Sequence, residues 1–223
     1  MTKDLTKCHF IEDENLWITC RGRISFVALA KKYRSKDAKA GDEGQFAVTL
    51  ITPPTAILTG LMKAASVAAH EKVPGVDFGA TPPKLKGIKT PFLDAAEKLE
   101  DGVSSWFGED GLRPKNEEGE DCSLAGWKMI RANSYSRRPV VRMPDGSELS
   151  LDEFDTEVYS GRWGRLQVRP KYYTYDGNKG VKFYLEGVQL LRNDSRLGTG
   201  GGSKGEAFSA VDDEDDDADS AMG

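Results

Sequence analysis

Residues 163–190 read WGRLQVRPKYYTYDGNKGVKFYLEGVQL, and the pattern inside them decides the fold. Counted in twos, Trp163, Arg165, Gln167, Arg169, Lys171, Tyr173 and Tyr175 form one set. Gly164, Leu166, Val168, Pro170, Tyr172 and Thr174 form the other. Successive side chains of a strand point to opposite sides. The second set therefore suits a core, and the first suits an exposed face. Asp176-Gly177 supplies a two-residue hairpin turn, since both residue types accept positive φ. On the return strand Val181, Phe183 and Leu185 look inward, while Lys182 and Tyr184 look outward. Gly187 marks a bulge that shifts this phase.

Upstream, residues 16–34 (LWITCRGRISFVALAKKYR) are rich in β-branched and aromatic residues and predict one long strand or a pair. Residues 45–51 alternate, with Phe46, Val48 and Leu50 on one face. Pro53-Pro54 ends that strand, and Thr55 is the predicted N-cap of a helix over 56–72. The apolar stripe of that helix is Ile57, Leu58, Leu61, Ala64, Ala65 and Ala68. Residues 73–122 read as a long excursion with a short helix near 93–99 and an acidic run at 117–121. A strand over 126–135, a turn at Pro144-Asp145-Gly146 and an acidic stretch over 148–157 follow. Past Arg192 the composition changes to a Gly-rich linker, GTGGGSKG (198–205), and an acidic tail ending VDDEDDDADSAMG. The tail has too little apolar surface to fold alone and is expected to be disordered. The expected organisation is one domain over 1–197, with long insertions within 73–157, and a linker and tail over 198–223.

Charge is segregated. The whole chain carries −5, but residues 206–223 hold eight acids and no base. Without them 31 bases face 28 acids. No apolar stretch approaches the roughly 20 residues that span a bilayer, and the first residues lack a signal-peptide apolar region. The expected location is cytoplasmic. Three cysteines without a CxxC pair argue against a disulfide framework or a zinc ribbon. Cys8-His9 reads as a buried thiol beside an ordinary histidine. Asp152, Glu153 and Asp155, or Glu12, Asp13 and Glu14, are the acidic runs a metal-dependent nuclease could use, yet no His or Lys motif supports them. Phosphate-loop and nucleophile-elbow motifs are absent too. The expectation is a protein that is not an enzyme and takes no metal or cofactor.

The outward face of the hairpin has a direct chemical use. Single-stranded DNA offers phosphates, which cations neutralise with counterion release. It also offers base faces, on which aromatic rings stack without regard to sequence. Five of the seven tyrosines lie between Tyr159 and Tyr184, beside six bases and one acid. The candidate contacts there are Arg162, Trp163, Arg165, Arg169, Lys171, Tyr173, Tyr175, Lys179, Lys182 and Tyr184. Two further basic patches add Lys31, Lys32, Tyr33 and Arg34, and Arg131, Tyr135, Arg137 and Arg138. A polyanionic tail on a Gly-rich tether can occupy the same cations at high effective concentration.

The run YSGRWGRLQVRPKYYTYDGNKGVKFYLEGVQLLRNDSRLG (159–198) and the acidic terminus resemble bacteriophage replication single-stranded DNA-binding proteins of the OB-fold class. The resemblance implies a mainly β protein, a five-stranded OB barrel with one main helix and inserted loops. It also implies DNA across one sheet face and the first long hairpin, and a role in replication, recombination and repair of a phage genome in the host cytoplasm. Tail contacts with phage or host replication proteins are implied as well. A homodimer or a DNA-induced multimer is left open, and no membrane partner is expected. Family tails commonly end in an aromatic residue, whereas this sequence ends Ser220-Ala221-Met222-Gly223 after its acids. Two other functions fit the same residues: a mediator of strand annealing, and a protein whose tail mimics DNA toward a partner.

Overall fold

The computed structural model describes residues 4–34, 41, 43–100, 124–194 and 196–197, with 98–100 as backbone only. The linker and tail over 198–223 and the acidic run at 117–121 lie outside them. Among the described residues nine strands and three α-helices follow one another in the order β1 (His9–Ile11), β2 (Leu16–Ile18), β3 (Gly22–Tyr33), β4 (Gln45–Thr52), α1 (Thr59–His70), β5 (Phe92–Asp94), α2 (Ala95–Glu100), β6 (Lys128–Ser134), β7 (Val140–Arg142), α3 (Phe154–Glu157), β8 (Trp163–Tyr175) and β9 (Asn178–Leu190).

Five strands close a ring. Antiparallel pairs join β8 to β3, β3 to β4 and β4 to β6. β6 then runs parallel to β9, and β9 returns antiparallel to β8. This order and these directions are those of an OB fold. β1 and β2 extend the ring as a hairpin laid along β8, β7 lies parallel to β9, and β5 adds to β6.

The hairpin reading holds in detail. Leu166, Val168, Val181, Phe183 and Leu185 are all buried. The register slips by one residue at Glu186, since Gln167 faces Gly187 while Val168 faces Leu185. After the slip Val188 and Leu190 take the inward positions. One bulge thus keeps both halves of a 13-residue strand packed on one core. Asp176 and Gly177 have φ of 48° and 74°, as a type I′ turn requires.

The helix differs from expectation at its start. It begins at Thr59 with Leu58 at the cap and no side-chain cap bond, so Thr55 is not the N-cap. The amide of Ile57 donates instead to the Thr6 carbonyl at 2.8 Å, and Lys7 bridges Ile57. Tertiary pairing with the N-terminal segment holds 56–57 out of the helix. Leu61, Ala65 and Ala69 then pack inward, and the helix lies against β8 and β9.

Gly22 shows how tightly the ring is drawn where β3 meets β4 and β8. A Cβ there would stand 2.6 Å from the Ile51 carbonyl oxygen and 2.9 Å from Leu50. Gly22→Ala should therefore destabilise the fold by about 1–3 kcal/mol, the range for an overpacked core. A lowered urea midpoint with unchanged slope checks this, and an unchanged midpoint would show that the strands yield freely.

Candidate nucleic-acid interface

Cross-strand register gathers the candidates on the outside of the ring. Arg169 faces Tyr184, Tyr184 faces Asn133, and Asn133 faces Ala47. Beside that row Lys171 faces Lys182, and Arg131 faces Thr49. At the end of β4, Gln45 faces Tyr33 and accepts a 2.6 Å hydrogen bond from Asn133 Nδ2. The same amide nitrogen lies 3.3 Å from the Tyr135 hydroxyl. Small residues on β4 leave a low floor, flanked on the β8–β9 side by cations and rings.

The centre of this face is a lysine among tyrosines. Lys182 Nζ lies 4.8 Å from the Tyr135 ring centroid, 4.9 Å from Tyr184 and 5.8 Å from Tyr173. Lys171 Nζ lies 5.4 Å from Tyr184. Such contacts orient ammonium groups against ring faces without neutralising them. Tyr173 lies across Gly180, where an added Cβ would stand 2.9 Å from its ring. Tyr33, Tyr135 and Tyr175 are 57%, 47% and 67% exposed, so each offers a ring face to solvent.

Other candidates are partly engaged. Glu186 binds both Arg137, at 3.0 Å, and Arg169, at 3.1 Å. Arg169 also donates to the carbonyls of Glu14 and Asn15. Arg165 donates to Gln189 Oε1 at 2.8 Å, and burial draws its guanidinium pKa down. Burial draws the Arg131 pKa down as well. Lys32 pairs with Glu43 at 3.2 Å. Arg138 donates to the Ala30 carbonyl and lies 5.8 Å from the Phe46 ring. Lys31, Arg34 and Lys179 are exposed on the two hairpins.

Two placements correct the sequence reading. Arg162 does not reach solvent: it is 3% exposed, ion-paired to Glu157 and hydrogen-bonded to the Leu191 carbonyl. Trp163 is on the outward set but only 9% exposed. Its Nε1–H donates to Asp194 Oδ2 at 2.6 Å, and Arg21 and Arg192 lie over its ring. The segment just past β9 folds back and covers it. Sequence reasoning also missed Asn133 and Gln45. Counting β6 in twos would have put Asn133 between Arg131 and Tyr135, but the bond to Gln45 depends on register across 88 residues. Lys89, exposed, pairs beside Gly180 through backbone bonds.

Among the described residues no group of three or more His, Cys, Asp or Glu side chains could hold an ion. Cys8 is half-buried and its Sγ accepts the Cys20 amide at 3.3 Å. A hydrogen bond from Cys20 draws the Cys8 thiol below its ordinary range, while the reciprocal contact and burial push Cys20 up. His9 contacts the Asp4 carbonyl oxygen rather than Cys8. No described helix is long and apolar enough to cross a membrane.

Comparison with known families decides the relationship. A family model described as Enterobacter phage Enc34, ssDNA-binding protein, matches residues 17–219. The chain belongs to this phage single-stranded DNA-binding protein family. Among solved structures, the single-stranded DNA-binding protein from bacteriophage Enc34 in complex with ssDNA aligns at 20% identity and a TM-score of 0.57. That alignment covers 82% of this chain and 89% of the Enc34 chain. A second structure, of the single-stranded DNA-binding protein from bacteriophage Enc34, aligns at 18% identity and 0.56, over 88% and 91% of the two chains. Gp2.5, a single-stranded DNA-binding protein encoded by bacteriophage T7, aligns at 15% identity and 0.48, over 88% and 98%. None of the curated proteins compared with the chain matches it. The two Enc34 alignments bear on the fold of this family member, which agrees with the closed five-strand ring described above.

Proposed function

We propose that this chain binds single-stranded DNA without sequence preference on the outer face of β8, β9, β6 and β4, and shields it during phage DNA replication and recombination in the host cytoplasm. The observation that carries the reading is Lys182 set among Tyr135, Tyr173 and Tyr184 with Lys171 alongside. Rings and ammonium groups share one surface, so a base can stack while its phosphate is neutralised. The contacts are Lys171, Tyr173, Lys182, Tyr184, Arg131 and Tyr135, extended by Tyr33 and the basic end of β3 and by Tyr175 and Lys179 at the hairpin tip. Arg137, Arg138, Arg165 and Arg169 contribute positive potential while tied to protein acceptors. Membership of a family named for a single-stranded DNA-binding protein supports the reading. No catalytic step, metal or cofactor belongs to it.

The tail is the regulatory half of the proposal. Residues 206–223, with eight acids and no base, compete with DNA for the cations of the face and recruit replication proteins once displaced. Deleting 206–223 should raise affinity for a dT oligonucleotide several-fold at low salt, with the gain shrinking as salt rises. A salt titration of oligonucleotide binding, by full-length and truncated protein on single-stranded and duplex DNA, tests both halves. Unchanged or weaker binding by the truncated chain overturns tail competition. Failure of either form to bind oligonucleotides overturns the face itself.

A further inference from the structure

The other end of β8 carries cations with no assigned work. Arg21 and Arg192 lie 5.7 and 4.9 Å from the Trp163 ring centroid. Arg196 lies 4.5 Å from the Tyr159 ring centroid. All three arginines are exposed. Four other arginines pair with acids: Arg23 with Asp194, Arg137 and Arg169 with Glu186, and Arg162 with Glu157. No described carboxylate lies within ion-pair distance of Arg21, Arg192 or Arg196.

The aromatic supports beneath these guanidinium groups are themselves fixed. Asp194 accepts from Trp163 Nε1 at 2.6 Å and pairs with Arg23 at 3.5 Å. The Tyr159 hydroxyl donates to the Asp194 carbonyl at 3.1 Å and accepts the Asp194 amide at 3.3 Å. Leu197 is buried and donates its amide to the Ser160 carbonyl at 2.8 Å. A guanidinium stacked on a pinned ring keeps its N–H edge free and loses less conformational entropy when it meets an oxyanion. Trp163 and Tyr173 share one face of β8, ten residues apart, or about 33 Å along the strand at the usual rise.

We propose that Arg21, Arg192 and Arg196 form a phosphate-binding rim that extends the path of single-stranded DNA beyond the aromatic face. The inference rests on the single-strand reading above. The rim offers charge and no free ring: Trp163 is covered, so it holds the backbone and ignores the bases.

The test is length dependence. Removing 206–223 deletes no described element, so chain 1–205 serves beside the full-length protein. Wild type and Arg21→Ala/Arg192→Ala are titrated with dT oligonucleotides of about 6 and about 25 nucleotides, one within and one beyond the roughly 4–16 nucleotides of an OB-fold site. The expected result in chain 1–205 is several-fold weaker binding of the long oligonucleotide, with a salt slope smaller by about 1.4, for two phosphates at about 0.7 each. The short oligonucleotide, held by the rings and lysines, should bind as before. Arg21→Lys/Arg192→Lys should restore most of the slope, which separates lost charge from a disturbed fold. Equal loss at both lengths, or none at either, overturns the rim. So does a variant that binds DNA more tightly only in the full-length protein, which would make the arginines a seat for the acidic tail. If wild type binds the short oligonucleotide and only the length effect is missing, the aromatic face stands and the rim alone falls.

Discussion

Tyr184→Ala should weaken binding of single-stranded DNA by about fivefold to a hundredfold, with the salt slope little changed. The size follows from base–aromatic stacking, about 1–3 kcal/mol per base. The choice of residue follows from register. Tyr184 faces Arg169 on one side and Asn133 on the other, so it stands where three strands of the ring meet on the outer face. Lys171 and Lys182 hold ammonium groups 5.4 and 4.9 Å from its ring, ready for the phosphates that flank a stacked base. Tyr184→Phe keeps the ring and should bind nearly as wild type. Lys182→Ala should show the opposite signature, a slope smaller by about 0.7. Fluorescence anisotropy over a salt series reads all three. A Tyr184→Ala protein that binds as tightly as wild type would remove stacking from the account.

Arg162→Ala should cost about 3 kcal/mol of stability while leaving the DNA face in place. Arg162 is 3% exposed, and its guanidinium is satisfied by Glu157 and by the carbonyl of Leu191. Truncating one member of such a pair leaves a carboxylate and a carbonyl short of partners, at about 3–5 kcal/mol for full burial. Glu157 keeps 27% of its side-chain surface in water, which places the expectation at the low end. For a chain of this size that is a fall of roughly 6–12 °C in Tm. The two roles separate cleanly by temperature. A structural Arg162 gives a lower melting temperature and wild-type affinity measured well below it. A contact residue would give the reverse.

These two residues also mark where sequence reading succeeds and fails. The outward placement of Tyr184 could be read from alternation alone, because a strand with one face in a core has a period of two that composition reveals. The same logic gave Val181, Phe183 and Leu185 as interior and placed the bulge near Gly187. Arg162 lies one residue ahead of β8, where alternation has no force. Its partner Glu157 sat in a stretch that read only as acidic. Trp163 obeyed the alternation and was still covered, because Asp194 takes its indole N–H while Arg21 and Arg192 lie over its ring, contacts that a count in twos does not contain. The gathering of Arg131, Asn133 and Tyr135 beside Tyr184 depends on a parallel pairing between β6 and β9, strands some 50 residues apart. No local pattern encodes that neighbour, since parallel partners are set by closure of the whole ring.

The long hairpin outruns the ring that holds it. β3 pairs with β8 at residues 163–164 and β2 pairs at 167–168, so from Arg169 to Tyr175 the described strand neighbour of β8 is β9 alone. That stretch is a bare selvedge, the kind of border on which a second molecule could weave another strand. Pro170 interrupts it with a residue that has no amide hydrogen to give, and the Lys171 ammonium follows directly. An arm crowded with tyrosines, the ingredients of sticky fibrils, thus carries two of the devices that discourage edge-to-edge pairing along this border.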